Sequence, residues 1–475
     1  MNPVIRVKDA RCHARVIAGA GKVARLAVER SHIAGAAVLA GLLASCAAGP
    51  QTPPVTSTPP PLVTQQPPAE TGPITYKSSG NKDMDAWRAS FSARALASGR
   101  DRTVVKSFLE NISPIDLWLG SEVQAAATGI SDQAEFAKPI WDYLKVPLGD
   151  SRVSTGTEKL QDEAGLFDRI EATYGVDRQV VAAIWGMETS FGAVIGNFDA
   201  PNTLANMAVE GRRKTLAENE LLTLMKVVER GDATRQDLIA GWAGAMGQTQ
   251  FMPSTYLAYG VDFDGDGKKD IWKSDADALA SAANYLAQSG YARGQPWGVE
   301  VVVPPDYDYS LADGQERRLE TWVATGVTPI AGGNFSTNGA DYAELWLPAG
   351  ADGPKYLLFH NFSVFKKYNN ADSYAFAVGL SGDAFLGARG PVTAWPTQLA
   401  PLSVADIKLL QAGLNSKGYD AGVVDGIAGR KTKTALQGFQ KDRGMVADGY
   451  PTKAMLAAVT GQDSATAAAA AASVD

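Results

Sequence analysis

The sequence predicts a mainly α-helical protein that carries a small β-hairpin, an EF-hand-like loop and a separate three-helix unit near the C-terminus. Three observations support this fold class. Apolar residues recur at helical spacing through most of residues 76–395, strand-like alternation is confined to residues 344–362, and helical patterns resume after Pro396. The hydrophobic content of 45% and charged content of 20% are typical of globular proteins.

The first 45 residues are predicted to be a lipoprotein signal peptide. Seven Lys/Arg residues precede an apolar run, Ile33–Leu43, that is too short to span a bilayer. The run ends in Leu43-Ala44-Ser45-Cys46, which resembles the lipobox of bacterial lipoproteins, so Cys46 is the predicted lipidation site. The alternative is a buried N-terminal helix in which the cysteine has no such role.

Residues 46–75 are predicted to form an extended linker, because they are dominated by Pro, Thr and Gln. At ~3 Å per residue, a couple of dozen such residues reach roughly 70 to 90 Å from a membrane. A flexible leader without a spacing role is the alternative.

The predicted catalytic domain, residues 76–395, has seven helical patterns and one hairpin. The hairpin joins Glu344–Pro348 to Lys355–Phe359 through a turn at Asp352-Gly353. The helices are predicted at Met84–Ser98, Asp101–Leu109, Glu158–Tyr174, Asp177–Phe191, Thr215–Glu229, Asp275–Ser289 and Asn369–Leu380.

The composition excludes several kinds of chemistry. Of three histidines, His13 and His32 lie in the leader, which leaves His360, and Cys46 is assigned to lipid. Zinc sites need several His or Cys ligands, and Ser or Cys nucleophiles commonly need a histidine base. His360 itself is predicted to be a hydrogen-bonded structural residue in a strand, Leu358–Phe362. Carboxylate chemistry remains, which points to sugar substrates.

Glu188 is the candidate catalytic residue. Val181, Ile184 and Trp185 precede it by seven, four and three positions, so its carboxyl group projects from the apolar stripe of a helix. Burial penalises the charged form, and we expect it to favour the protonated acid that a glycosidase uses to protonate a leaving oxygen. A structural glutamate paired with an arginine is an equal alternative on this pattern alone.

Four motifs in order resemble the membrane-bound lytic murein transglycosylase B family from about Ala86 to Leu380. They are IWGMETSFG at 184–192, GAMGQTQFMPS at 244–254, ANYL at 283–286 and KYNN at 367–370 followed by Tyr374. The resemblance implies a lysozyme-like helical domain that cleaves the β-1,4 bond between N-acetylmuramic acid and N-acetylglucosamine. It further implies that Glu188 is the only catalytic carboxylate and that the product carries a 1,6-anhydro ring.

The same resemblance assigns five substrate-binding residues: Gln250, Tyr285, Tyr368, Asn369 and Tyr374. Two departures stand against it. Gly241 replaces a serine that the family usually has, and Thr215-Leu216-Ala217 replace aromatic residues after the Arg212-Arg213 pair. A hydrolytic muramidase and a catalytically weakened wall-binding lipoprotein therefore remain as alternatives.

The segment DFDGDGKKD at 262–270 matches the start of an EF-hand loop, although Lys273 occupies the position of the closing glutamate. The family's loop closes late, where this chain has Asp277. We therefore expect a structural Ca²⁺ site formed by Asp262, Asp264, Asp266 and Asp277, with an Asp-rich solvated turn as the alternative. No cofactor is expected for catalysis.

Residues 396–462 are predicted to form a three-helix unit, and an Ala-rich tail follows at 463–475. The motifs LQAGL at 410–414, VDG at 424–426, FQ at 439–440 and VADG at 446–449 resemble those of a peptidoglycan-binding domain.

The predicted partners are peptidoglycan glycan strands and, through the lipid on Cys46, a membrane. The residue after Cys46 is Ala47 and not the Asp that is linked to inner-membrane retention, which favours a periplasmic protein on the outer membrane. Removing the leader, with its seven Lys/Arg and two Asp/Glu, changes the net charge from −7 to −12. An acidic chain argues against nucleic-acid binding. A monomer is expected.

Overall fold

The computed structural model describes residues 72–116, 138–211 and 213–461, all within one compact unit that begins at Glu70. The predicted signal peptide, Cys46, most of the linker and the C-terminal tail lie outside the described residues. The helices are α1 (Lys82–Ala97), α2 (Arg102–Leu109), α3 (Ile140–Tyr143), α4 (Asp150–Asp162), α5 (Ala164–Tyr174), α6 (Arg178–Thr189), α7 (Ala200–Glu210), α8 (Lys214–Glu229), α9 (Pro253–Tyr259), α10 (Asp275–Gln288), α11 (Leu319–Ala324), α12 (His360–Tyr368), α13 (Asp372–Phe385), α14 (Val404–Ser416), α15 (Arg430–Lys441) and α16 (Lys453–Thr460).

The mainly helical prediction is confirmed, and local capping explains where several helices begin. Asn81 accepts hydrogen bonds from the amides of Asp83 and Met84 at the start of α1. Ser403 and Asp406 form a capping box at the start of α14. Among the described residues, no helix is long and apolar enough to cross a membrane.

The single helix predicted over Glu158–Tyr174 is wrong. Two helices, α4 and α5, meet at Glu163, whose backbone leaves the helical region with φ −100° and ψ 20°. The break lets α4 pack on α13, where a Cβ on Gly156 would lie 2.3 Å from the Phe385 ring. Only Glu163 separates the two helices, so the apolar spacing continues across the junction and predicts a single helix.

A helix break also lies ahead of Tyr374. The helix predicted at Asn369–Leu380 begins three residues later, at Asp372, and α12 precedes it. His360 is the first residue of α12, so its predicted strand is wrong. Its predicted structural role fits the contact of its Nε2 atom with the Gly290 carbonyl oxygen at 2.8 Å.

The predicted hairpin is present, paired in the register Glu344↔Leu358. It belongs to a five-stranded antiparallel sheet, of which the sequence predicted only two strands. Two short strands, β1 (Phe198–Asp199) and β2 (Ile239–Ala240), pair separately. The sheet's strands are β3 (Gly298–Val302), β4 (Arg317–Arg318), β5 (Thr328–Pro329), β6 (Tyr342–Trp346) and β7 (Tyr356–Leu358), and their order is β4-β6-β7-β3-β5.

Two large apolar cores divide the region between α1 and α13. One contains Trp185 of α6 and Phe376 of α13, and the other contains Leu221 of α8 and Tyr256 of α9. Tyr285 and Tyr368 pack against both cores. These two tyrosines therefore mark the junction at which the candidate site is built.

The C-terminal unit consists of α14, α15 and α16, as the sequence predicted. Its small core contains Leu410, Leu414, Leu436, Phe439 and Val459. The two Asp-Gly pairs form turns in which Gly426 and Gly449 have φ angles of +89° and +68°. Only glycine adopts these angles at little cost.

Candidate active site

Glu188 lies one residue before the end of α6, whose remaining residues are almost all buried. The Glu188 side chain is half-buried, and the Tyr374 hydroxyl donates a 2.5 Å hydrogen bond to its Oε1 atom. The predicted catalytic residue therefore has a fixed carboxyl group at the solvent-facing end of a rigid helix. Such rigidity is what a proton donor needs.

Two tyrosines face this carboxyl group. Burial, followed by the charge of Glu188, raises the pKa of Tyr374 and of Tyr368 well above the usual range. Both hydroxyls therefore remain protonated and act as donors: Tyr374 donates to Glu188, and Tyr368 donates to the Thr249 carbonyl oxygen at 2.7 Å. The structure thus brings Tyr368, Tyr374 and Glu188 together.

An aromatic cluster continues from Tyr368. The ring of Tyr285 lies edge-on to it with centroids 5.3 Å apart, and the ring of Tyr259 lies edge-on to Tyr285 at 4.9 Å. The ring of Phe251 packs against the rings of Tyr285 and Tyr368, with a centroid separation of 5.9 Å in each pair. Tyr259 and Phe251 were not among the predicted site residues, although Phe251 lies inside a recognised motif.

Gln250 and Asn369 lie beside this cluster in the chain. Gln250 has a φ of 50°, a left-handed conformation that is uncommon for a non-glycine residue, and its Nε2 atom donates to the Gly247 carbonyl oxygen at 2.9 Å. Asn369 follows α12, and its Oδ1 atom accepts a 3.1 Å hydrogen bond from the Ala371 amide. Asn369 thereby fixes the short turn that leads to Tyr374.

Gln248 is a positioning residue that the sequence reasoning missed. Its buried amide accepts from Trp185 Nε1 at 2.7 Å and donates to Asp275 Oδ1 at 2.8 Å. The backbone carbonyl oxygen of Gln248 accepts from the Thr189 hydroxyl at 2.7 Å. These bonds join the 244–254 loop to the end of α6 beside Glu188. Its place in the recognised motif at 244–254 was the available signal.

The two departures from the family pattern have clear positions. Gly241 is buried, and its amide donates to the Ala245 carbonyl oxygen at 2.8 Å, which closes the turn ahead of Gln248. Thr215 and Leu216 lie on α8 and are exposed. Arg212 lies outside the described residues.

The EF-hand-like loop brings together three of the four predicted ligands. Carboxylate oxygens of Asp262, Asp264 and Asp277 lie within 4.8 Å of one another, and this group does not include Asp266. Asp277 is 0% exposed and accepts hydrogen bonds from the amides of Phe263 at 2.7 Å and Asp270 at 2.8 Å. Burial raises its pKa. Three convergent carboxylates, one of them buried, suit a hard cation such as Ca²⁺.

Comparison with known proteins matches two parts of the chain to protein families. Residues 83–383 match the Transglycosylase SLT domain, and residues 403–459 match the Putative peptidoglycan binding domain.

Individual relatives agree with these matches. The chain is 27% identical over 300 residues to the membrane-bound lytic murein transglycosylase B of Escherichia coli, a match that covers 61% of this chain and 80% of the relative. It is 42% identical to SltB3 of Pseudomonas aeruginosa, solved in complex with NAG-anhNAM-pentapeptide, with a TM-score of 0.74 over 80% of this chain and 100% of that one. It is 26% identical to Escherichia coli Slt35, solved in complex with calcium, with a TM-score of 0.53 over 64% of this chain and 93% of that one.

Proposed function

The chain belongs to the Transglycosylase SLT domain family, and on that premise we propose that it cleaves peptidoglycan glycan strands with Glu188 as its proton donor. The chain is a peptidoglycan lytic transglycosylase of the kind represented by its Escherichia coli and Pseudomonas aeruginosa relatives. The position of Glu188 carries the residue assignment: a half-buried carboxyl group at the end of a buried helix, held by the Tyr374 hydroxyl at 2.5 Å.

The proposed reaction uses this carboxyl group twice. Glu188 first gives its proton to the oxygen that links N-acetylmuramic acid to N-acetylglucosamine, and the bond from that oxygen to C1 of the muramyl sugar breaks. The muramyl 6-hydroxyl oxygen then attacks C1, and its proton passes to the ionised Glu188. The acid is regenerated, a 1,6-anhydro ring closes, and no water is consumed.

The surrounding side chains are proposed to bind and orient the sugars. The faces of Tyr285 and Tyr368 offer flat apolar surfaces for sugar rings. The amide of Asn369 would polarise the 2-acetamido group, which stabilises the positive charge that develops at C1. Gln250 would bind the sugars through its backbone, which is held in position by the hydrogen bond from its side-chain Nε2 atom to the Gly247 carbonyl oxygen.

Mass spectrometry of digested sacculi tests this function. We expect glycan products that end in 1,6-anhydro-N-acetylmuramic acid, because the 6-hydroxyl is an intramolecular nucleophile with a high effective concentration. Reducing ends would instead show the hydrolytic muramidase alternative. An absence of both products would favour the alternative of a wall-binding protein with weakened activity, in which Gly241 replaces the family's serine.

The proposed location is the periplasm, with the protein held at the outer membrane through a lipid on Cys46. The name of the Escherichia coli relative, a membrane-bound enzyme, supports a membrane attachment. We propose residues 1–45 as the signal peptide, 46–75 as the spacer, 76–395 as the catalytic domain, 396–462 as the wall-binding domain and 463–475 as the tail. The protein would act as a monomer on the wall within reach of the spacer.

We also propose that the EF-hand-like loop holds a structural Ca²⁺ ion through Asp262, Asp264 and Asp277. The Slt35 relative solved with calcium supports this assignment. A ligand that binds only the native state stabilises it by about 2.7 kcal/mol when the free ligand concentration is about 100 times its Kd. The ion is assigned no chemical role. Because Asp277 lies in the first turn of α10, the ion would tie the loop to that helix.

The wild-type melting temperature should therefore rise with added Ca²⁺, and Asp264→Asn should remove this rise. Asp266→Asn is the matched control, because Asp266 lies outside the carboxylate group and bonds only locally, to the Lys268 amide at 2.8 Å. Differential scanning calorimetry with Ca²⁺ and with chelator measures the effect. A wild-type transition that responds to neither would rule out the ion and leave an Asp-rich turn.

A further inference from the structure

The C-terminal three-helix unit contains the same local structure twice. In the first copy, Gln411 donates from Nε2 to Asp425 Oδ1 at 2.9 Å and accepts from the Gly426 amide at 2.9 Å. In the second copy, Gln440 donates to Asp448 Oδ1 at 2.8 Å and accepts from the Gly449 amide at 2.8 Å. Each aspartate Oδ1 also accepts the amide two residues later, from Ile427 at 2.8 Å and from Tyr450 at 3.0 Å.

The second copy binds a peptide segment of small residues from the catalytic domain. Asp448 Oδ2 accepts a 2.9 Å hydrogen bond from the backbone amide of Ala351. The preceding residue must be glycine, since a Cβ on Gly350 would lie 2.7 Å from Asp448 Oδ2 and 2.9 Å from Tyr450 Cβ. This copy therefore uses its outer carboxylate oxygen to hold a peptide N–H, while the Oδ1 atom maintains the turn.

The first copy presents the same carboxylate to solvent. Asp425 is exposed, and within residues 138–211 and 213–461 we find no hydrogen bond to its Oδ2 atom. The Gln411 amide, its strongest partner, holds the pKa of Asp425 below its usual range, so the group is ionised at neutral pH.

Apolar and basic side chains surround this exposed aspartate. Val423, Ile427 and Val404 are 79%, 65% and 63% exposed. The Val404 and Lys408 side chains both lie against Gly426, since a Cβ there would be 2.6 Å from Val404 Cγ1 and 3.3 Å from Lys408 Cε. We call Val404, Lys408, Val423, Asp425 and Ile427 the Asp425 surface. Exposed apolar groups beside an ionised acceptor are typical of a binding site.

We propose that the Asp425 surface binds the stem peptide of peptidoglycan rather than its glycan. By analogy with Asp448 and Ala351, Asp425 Oδ2 would accept a peptide N–H, alanine methyl groups would contact Val423 and Ile427, and the Lys408 ammonium would pair with a stem carboxylate. This inference rests on the proposed binding of the wall by the C-terminal unit, and it adds the part of the polymer that is recognised.

The test uses the full chain with Glu188→Gln, so that the wall is not digested during the assay. Binding is measured by co-sedimentation with intact sacculi and with sacculi whose stem peptides have been removed by an amidase. We expect this Glu188→Gln protein, the parent of the variants below, to bind peptide-free glycan at least about tenfold more weakly than intact sacculi. This is the loss expected for one charged hydrogen bond and its apolar neighbours. Asp425→Asn should cause a similar loss on intact sacculi and no further loss on peptide-free glycan.

Asp425→Asn is the sharpest variant, because an asparagine Oδ1 atom can still accept from Gln411 and Ile427 while an NH₂ group replaces the outer oxygen. Asp420→Asn is its control: it removes the same charge from an exposed aspartate of this unit that pairs with Lys431 at 3.1 Å, and it should bind as the parent does. Val423→Ser, a change at an exposed site that leaves the fold intact, should weaken binding severalfold.

Two results would overturn the inference while leaving wall binding intact: an Asp425→Asn protein that binds intact sacculi as tightly as the parent, or a parent that binds both kinds of sacculi equally. A parent that fails to sediment with intact sacculi would overturn the proposed wall binding itself, and this inference with it.

Discussion

Replacement of Glu188 by glutamine is expected to reduce the release of 1,6-anhydro products from sacculi by about 100-fold or more. The amide keeps the shape of the carboxyl group and can still accept the Tyr374 hydroxyl at Oε1, but it cannot donate a proton to the leaving oxygen. The fold and the binding of the wall should be unchanged. The rate of product release, measured by liquid chromatography and mass spectrometry, checks this expectation.

Glu320→Gln is a suitable control, because Glu320 is an exposed glutamate of the same domain whose partner is Arg318 at 3.5 Å. It should digest sacculi at the wild-type rate. Tyr374→Phe should fall between the two, since it retains the acid but removes the hydroxyl that positions it. Wild-type activity of the Glu188→Gln protein would show that another residue donates the proton.

Deletion of residues 403–475 is expected to weaken binding to insoluble wall by about 100-fold, because a second linked binding unit raises the effective concentration of the polymer at the enzyme. Turnover of short soluble fragments should change little, since the three-helix unit supplies no residue to the Glu188 site among those described. Sedimentation with sacculi and kinetics on soluble fragments measure the two effects separately.

The contacts between this unit and the catalytic domain provide the control. Gln437 donates from Nε2 to the Tyr309 carbonyl oxygen at 3.0 Å, and Gln437→Ala should loosen the docking while keeping the unit on the chain. That variant should retain wall binding. An equal loss of activity on soluble and insoluble substrates after the deletion would mean that residues 403–475 are part of the catalytic fold.

Sequence patterns predicted most helices and the C-terminal unit because each of these depends on local information. The apolar spacing around Glu188 placed it on a buried helix, and the order of the motifs alone indicated the family. The patterns failed where tertiary packing overrides local preference. The junction at Glu163 exists because α4 turns to pack on Phe385, and His360 begins a helix although its neighbours alternate as in a strand.

The sequence by itself restricted the chemistry, since the shortage of histidine and cysteine left carboxylate chemistry, and the resemblance of the four ordered motifs then indicated Glu188 as the candidate catalyst. Only the tertiary structure decided what surrounds that carboxylate. Tyr374 lies 186 residues from Glu188, and Gln248 joins Trp185 to Asp275 across separate elements. Such contacts depend on how distant elements pack, and periodicity records only which face of one element is buried. For the same reason, the role of Asp448 in holding the Ala351 amide, 97 residues away, depends on the tertiary structure, and the analogy with Asp425 depends on it too.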